Sequence, residues 1–128
     1  MGANQRSDGP EKRKFRRVEA SFTVVYSVQS PMEARLEFGG KESEGIANDL
    51  SEGGLSLLTE RPLPEGAVMI IKFRLQNKST GFEEEASRKF EVQGEVRHSI
   101  YTKEKDFRTG VRFMNLAQAD RNFIAKCL

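Results

Sequence analysis

The chain has 128 residues, 37% of them apolar and 31% charged, enough for one domain with a single core that needs no disulfide or structural metal. No apolar run approaches the roughly 18 residues of a membrane helix, and the charged start, MGANQRSDGPEKRKFRR, lacks the apolar stretch of a secretory leader. One cysteine (Cys127) and one histidine (His98) argue against an internal disulfide, a zinc set and a Cys–His catalytic pair. The expectation is a cytoplasmic binding module, not an enzyme, with no metal and no cofactor.

The net charge of +2 divides unevenly. Residues 1–17 carry Arg6, Lys12, Arg13, Lys14, Arg16 and Arg17 against Asp8 and Glu11, a local excess of +4, and the remainder carries −2. Such an arm attracts phosphate on nucleic acid, lipid or nucleotide, or serves only as a solvated tail. Residues 1–12 lack an apolar anchor and read as a flexible arm. The domain is expected to occupy residues 13–128, with order beginning near Phe15.

From Phe22 the pattern alternates, with Phe22, Val24, Tyr26 and Val28 on one side, and predicts a half-buried strand ended by Ser30-Pro31. Ala34–Phe38 reads as a short strand before the Gly39-Gly40 turn. Gly45–Leu50 and Gly54–Leu58 read as two further strands around Ser51-Glu52-Gly53, followed by a compact Pro62–Gly66 turn. Val68–Leu75 places Met69, Ile71, Phe73 and Leu75 on a buried face. Residues 76–81 read as a polar loop and Glu83-Glu84-Glu85 as a solvated run. In Phe90–Ile100, the residues Phe90, Val92, Val96, His98 and Ile100 share one side, with Gly94 as the expected bulge or bend. Residues 103–106 form a charged hairpin tip. Gly110–Met114 follows as a strand with Val111 and Phe113 inward and Arg112 at the surface. The period then changes: Phe123, Ile124, Cys127 and Leu128 predict an amphipathic helix, with Asn115 and Gln118 resembling a capping box. The expected fold class is all-β, an antiparallel barrel of short strands with a C-terminal α-helix over one opening.

Two clusters carry chemistry. Arg13-Lys14-Phe15-Arg16-Arg17 holds an R-x-x-x-R spacing, and Asp49-Leu50-Ser51-Glu52-Gly53-Gly54 a D-x-S-x-x-G spacing. A guanidinium donates two parallel hydrogen bonds to guanine O6 and N7 or to phosphate, and its plane stacks on a base. Asp49 suits the guanine N1–H and amine, Ser51 a phosphate oxygen, and Gly53 and Gly54 close backbone approach. Each signal alone also fits ordinary structure: a basic tail, and an Asx-type turn with a left-handed glycine.

Together these residues resemble the PilZ domain family. The resemblance rests on Arg13-x-x-x-Arg17-Val18, on Asp49-x-Ser51-x-x-Gly54-Leu55-Ser56, on Leu63-Pro64-Glu65-Gly66 and on Gly110-Val111-Arg112-Phe113, and runs from about residue 12 to the C-terminus. It implies a six-stranded antiparallel barrel with a C-terminal helix that binds the bacterial second messenger cyclic di-GMP. Arg13 and Arg17 would then clamp guanine edges and phosphates. Asp49 and Ser51 would contact a guanine and a phosphate, Gly54 would hold the turn, and Gly53 would admit the ligand. Arg16, with Lys14, would add phosphate contacts or remain solvated. His98, expected on the barrel side, would stand beside a base or be a satisfied structural histidine. An arm that orders around the ligand would act as a switch toward a downstream protein that the sequence does not identify. The alternatives are a nucleic-acid-binding barrel, disfavoured by the lack of Trp and the scarcity of Tyr, and a protein-interaction barrel without ligand.

Overall fold

The computed structural model describes residues 18–76 and 87–128. The expected arm, Arg13, Arg16 and Arg17, and the Glu83–Glu85 run lie outside the described residues.

Six strands close into an antiparallel barrel: β1 (Val18–Ser30), β2 (Ser43–Ser51), β3 (Gly54–Thr59), β4 (Val68–Gln76), β5 (Ser87–Tyr101) and β6 (Phe107–Met114). Their order around the barrel is β1-β2-β3-β6-β5-β4, every neighbouring pair antiparallel. Period-2 alternation drives the closure. Val24, Tyr26 and Val28 of β1, Met69, Ile71, Phe73 and Leu75 of β4, and Val111 and Phe113 of β6 all point into one core.

Helix α1 (Met32–Glu37) occupies the stretch expected as a strand. Alternation of Ala34, Leu36 and Phe38 misleads there: Ala34 is buried but Leu36 is exposed. Met, Glu, Ala, Arg and Leu are all good helix formers. The two glycines stop the helix in a Schellman motif: Gly40 N–H donates to the Arg35 carbonyl at 2.9 Å and Gly39 N–H to Leu36 at 3.0 Å, with Gly39 at φ +80°.

Helix α2 (Gln118–Cys127) covers one barrel opening. Its Phe123 lies 5.9 Å from the Phe90 ring, which stacks at 5.0 Å on Phe73. Arg88 reaches up from β5 to pair with Asp120 at 3.1 Å, and its guanidinium lies over the Phe123 ring. The capping box does not form. Ala117 is the N-cap without a side-chain bond, Asn115 sits at φ +54°, and Gln118 donates to Asn122 instead. No helix among the described residues is long and apolar enough to cross a membrane.

The irregularity expected at Gly94 falls elsewhere. Gly94 stays in phase and faces inward, where a Cβ would come 2.4 Å from Val111 Cγ1. The bulge is at Arg97, where Val96 opposes Val111 but His98 opposes Gly110. One extra residue reverses the phase beyond it, so Ser99 turns in while His98 and Ile100 turn out.

Candidate functional site

Strand register gathers a polar patch on the outer wall of the barrel. Asp49 of β2 opposes Ser56 of β3, Ser56 opposes Gly110 of β6, and Gly110 opposes His98 of β5. One row beyond, Ser51 opposes Gly54, Gly54 opposes Arg112, and Arg112 opposes Glu95. The core residues Leu50, Leu55 and Val111 lie between these rows and point inward, so by alternation both rows face out. Asp49, Ser51, Gly54 and His98, far apart in sequence, thus share one surface. Val18 opposes Leu50 and Glu19 opposes Asp49, so the start of β1 lies alongside the same segment.

Small residues shape the patch. A Cβ on Gly54 would lie 2.0 Å from the Val111 carbonyl oxygen, so only glycine lets β3 and β6 approach this closely. Gly53 and Gly54 do not adopt left-handed backbone; among the described glycines Gly39, Gly40 and Gly66 do. The β2–β3 turn is held instead by side-chain and cross-strand bonds. Gly53 N–H donates to Ser51 Oγ at 3.1 Å, Ser51 Oγ donates to the Gly54 carbonyl at 3.4 Å, and Phe113 N–H donates to the Gly53 carbonyl at 2.8 Å.

Asp49 is only 3% exposed, although it stands on the outer face. Arg108 Nη2 of β6 lies 3.4 Å from its Oδ2. The sequence reading missed Arg108. Its signal was the alternation with Thr109 and Val111, which sends it outward, two residues before Gly110. At the patch edge Arg112 holds Glu95 at 2.7 Å, and Arg97 joins at 3.5 Å. The hydrogen bond from Arg112 holds the Glu95 carboxyl below its ordinary range.

The expectation that His98 lies on the barrel side with Phe90, Val92 and Val96 is overturned: it is exposed on the outer face. The bulge turns it outward, and its ring lies against Gly110. The patch therefore offers a carboxylate, guanidinium groups, a hydroxyl and an exposed flat imidazole above a floor of small residues. That is hydrogen-bonding and stacking chemistry. Among the described residues no group of three or more His, Cys, Asp or Glu can hold a metal ion.

The PilZ domain profile matches residues 11–128, and the chain belongs to the PilZ domain family. Solved structures agree on the fold. The inhibitor of motility MotI/DgrA from Bacillus subtilis matches with a TM-score of 0.66 at 20% identity, covering 91% of this chain and 49% of that one. The PilZ domain of YcgR from Escherichia coli with c-di-GMP matches at 0.58 and 16%, covering 91% and 88%. The MrkH–c-di-GMP complex from K. pneumonia matches at 0.61 and 15%, covering 91% and 50%. The chain thus spans about half the length of the MotI and MrkH chains. No curated protein matches the sequence.

Proposed function

We propose that this domain binds cyclic di-GMP on the outer patch around Asp49, with Arg13 and Arg17 closing over the ligand from the N-terminal side. The observation that carries the reading is the shared outer face of Asp49, Ser51, Gly54 and His98 within a PilZ barrel. Two structural neighbours are described with c-di-GMP. Arg17 directly precedes Val18, which opposes Leu50. Arg13 lies five residues before Val18, a contour of at most about 18 Å, so both arginines have the reach to the patch.

The roles follow from chemistry. Asp49 accepts from guanine N1–H and the exocyclic amine, and the arginines donate to O6 and N7 or to phosphate. Ser51 donates its hydroxyl hydrogen bond to a phosphate oxygen by releasing the Gly54 carbonyl, a long bond that costs little to break. Gly53 and Gly54 keep the turn low beneath the ligand. His98 presents its ring to a base, and Arg16 adds a phosphate contact. Neutralised by phosphate, the basic arm orders, and the ordered arm offers a downstream protein a new surface.

Calorimetry with cyclic di-GMP, cyclic di-AMP and GMP tests this. Adenine presents an amine where guanine presents O6, which costs about 1–3 kcal/mol per base at an arginine fork. Micromolar or tighter binding of cyclic di-GMP with clear preference over cyclic di-AMP is expected. Equal affinity, or no heat with either, contradicts the reading.

A further inference from the structure

At the barrel end opposite α2, a cleft of about 460 Å³ opens between the end of α1, the start of β2, the end of β3 and the β5–β6 hairpin. Four carboxylates line it, from Glu37, Glu44, Glu60 and Asp106, against one cation, Arg61. Arg61 is already engaged, donating from Nη1 to the Glu37 carbonyl at 2.7 Å. Asp106 accepts from Thr102 Oγ1. Glu37, Glu44 and Glu60 form no ion pair among the described residues.

A second observation is independent of the charge. Tyr26 lines the cleft and is only 5% exposed, yet its hydroxyl makes no hydrogen bond among the described residues. The Tyr26 ring is enclosed but its oxygen is not among the buried unpartnered side-chain atoms, so the phenol tip is open to an incoming hydrogen-bond donor. Burial, with the Glu60 carboxylate adding to it, pushes its ionisation upward, so it stays a neutral phenol. Its ring meets Phe38 edge-on at 6.3 Å, and the two provide an aromatic wall.

We propose that this cleft is a docking pocket for an arginine side chain on a basic segment of a partner protein. A guanidinium is planar, stacks on aromatic rings, and donates to several carboxylates at once. The Tyr26 oxygen accepts one further N–H. An apolar shelf favours a protein source. Met32 and Leu36 stand 59% and 70% exposed, one turn apart on the helix whose last residue lines the cleft. The cleft and the Asp49 patch share no lining residue, although Leu58 on the cleft wall pairs with Arg108, the ion-pair partner of Asp49.

The test is a set of NMR titrations of the nucleotide-free domain. The probes are a short blocked peptide with one arginine and two leucines, the same peptide with citrulline for arginine, and free arginine amide. The arginine peptide is expected to shift the amides of Phe38, Gly39, Ser43, Glu44, Thr59 and Glu60 in a saturable way. Neutral citrulline and free arginine amide should each bind about tenfold more weakly or worse. A Glu44→Gln, Glu60→Gln double variant, changed only at exposed side chains, should lose about tenfold for the arginine peptide. Equal binding of the citrulline peptide, or an unchanged double variant, overturns the proposal. So does free arginine amide binding as tightly as the peptide, which would mark a small-molecule site.

Discussion

The His98 imidazole lies against Gly110 of the neighbouring strand, so that a Cβ on residue 110 would come within 2.5 Å of both Cε1 and Nε2. The contact is with the rotatable end of a side chain, so Gly110→Ala should swing the ring away rather than open the barrel. A ring stacked on a base contributes about 1–3 kcal/mol. His98→Ala and Gly110→Ala are both expected to weaken cyclic di-GMP binding within that range while leaving the circular dichroism spectrum intact. Unchanged affinity in both would assign His98 to structure alone.

Gly54 is a different case. The atoms a Cβ would meet there belong to the Val111 and Arg112 backbone, which cannot rotate aside. Gly54→Ala is expected to destabilise the domain by about 1–3 kcal/mol, read as a fall in the urea midpoint.

Both outcomes depend on register, which is also where sequence reading met its limit. Alternation in Val68–Leu75 fixes which face is buried because every second residue is large and apolar, and all four expected residues are buried. Beyond Val96 the same logic fails, since one inserted residue reverses the phase and carries His98 to the outside. Gly39-Gly40 signalled a turn but not what it ends, because the same dipeptide closes a hairpin or a helix. Asp49 and Ser51 are named as candidates from their spacing, and strand register sets them on one face. Arg108 is not so named, because its link to Asp49 spans 59 positions and depends on β2 and β6 both pairing with β3.

The Asp49–Arg108 pair joins a buried carboxylate to a half-exposed guanidinium. Its worth falls between a surface pair and a buried one, about 1 kcal/mol after screening. Arg108→Gln should lower stability by about that amount, and combined with Asp49→Asn should cost less than the sum of the two. Strict additivity in urea unfolding would show that the two side chains do not interact.

Arg13→Ala and Arg17→Ala should each reduce cyclic di-GMP affinity by about tenfold or more, the loss expected for a charged hydrogen-bonding contact. Neither should shift the thermal midpoint. Affinity of the native chain should also fall as salt rises, because part of the attraction is between exposed charges. Lost secondary structure in either variant would reassign the arginine to the fold.

Burial pushes the Cys127 thiol above its ordinary range. A raised value means less thiolate at any pH below it, and thiolate is the reactive form. Alkylation by iodoacetamide near pH 8 should therefore be slower in the folded protein than in urea. Equal rates would place the sulfur in a freely solvated position.

On the proposed function, cyclic di-GMP sits on the outer face around Asp49. The most direct measurement is an amide-resolved NMR titration of the full chain. The largest changes are expected at Asp49, Ser51, Gly53, Gly54, Ser56, His98 and Gly110, with small ones at Phe38, Ser43 and Glu60 around the acidic cleft. Changes centred on that cleft, or a saturating ligand that leaves the Asp49–Gly54 turn unmoved, would contradict this placement.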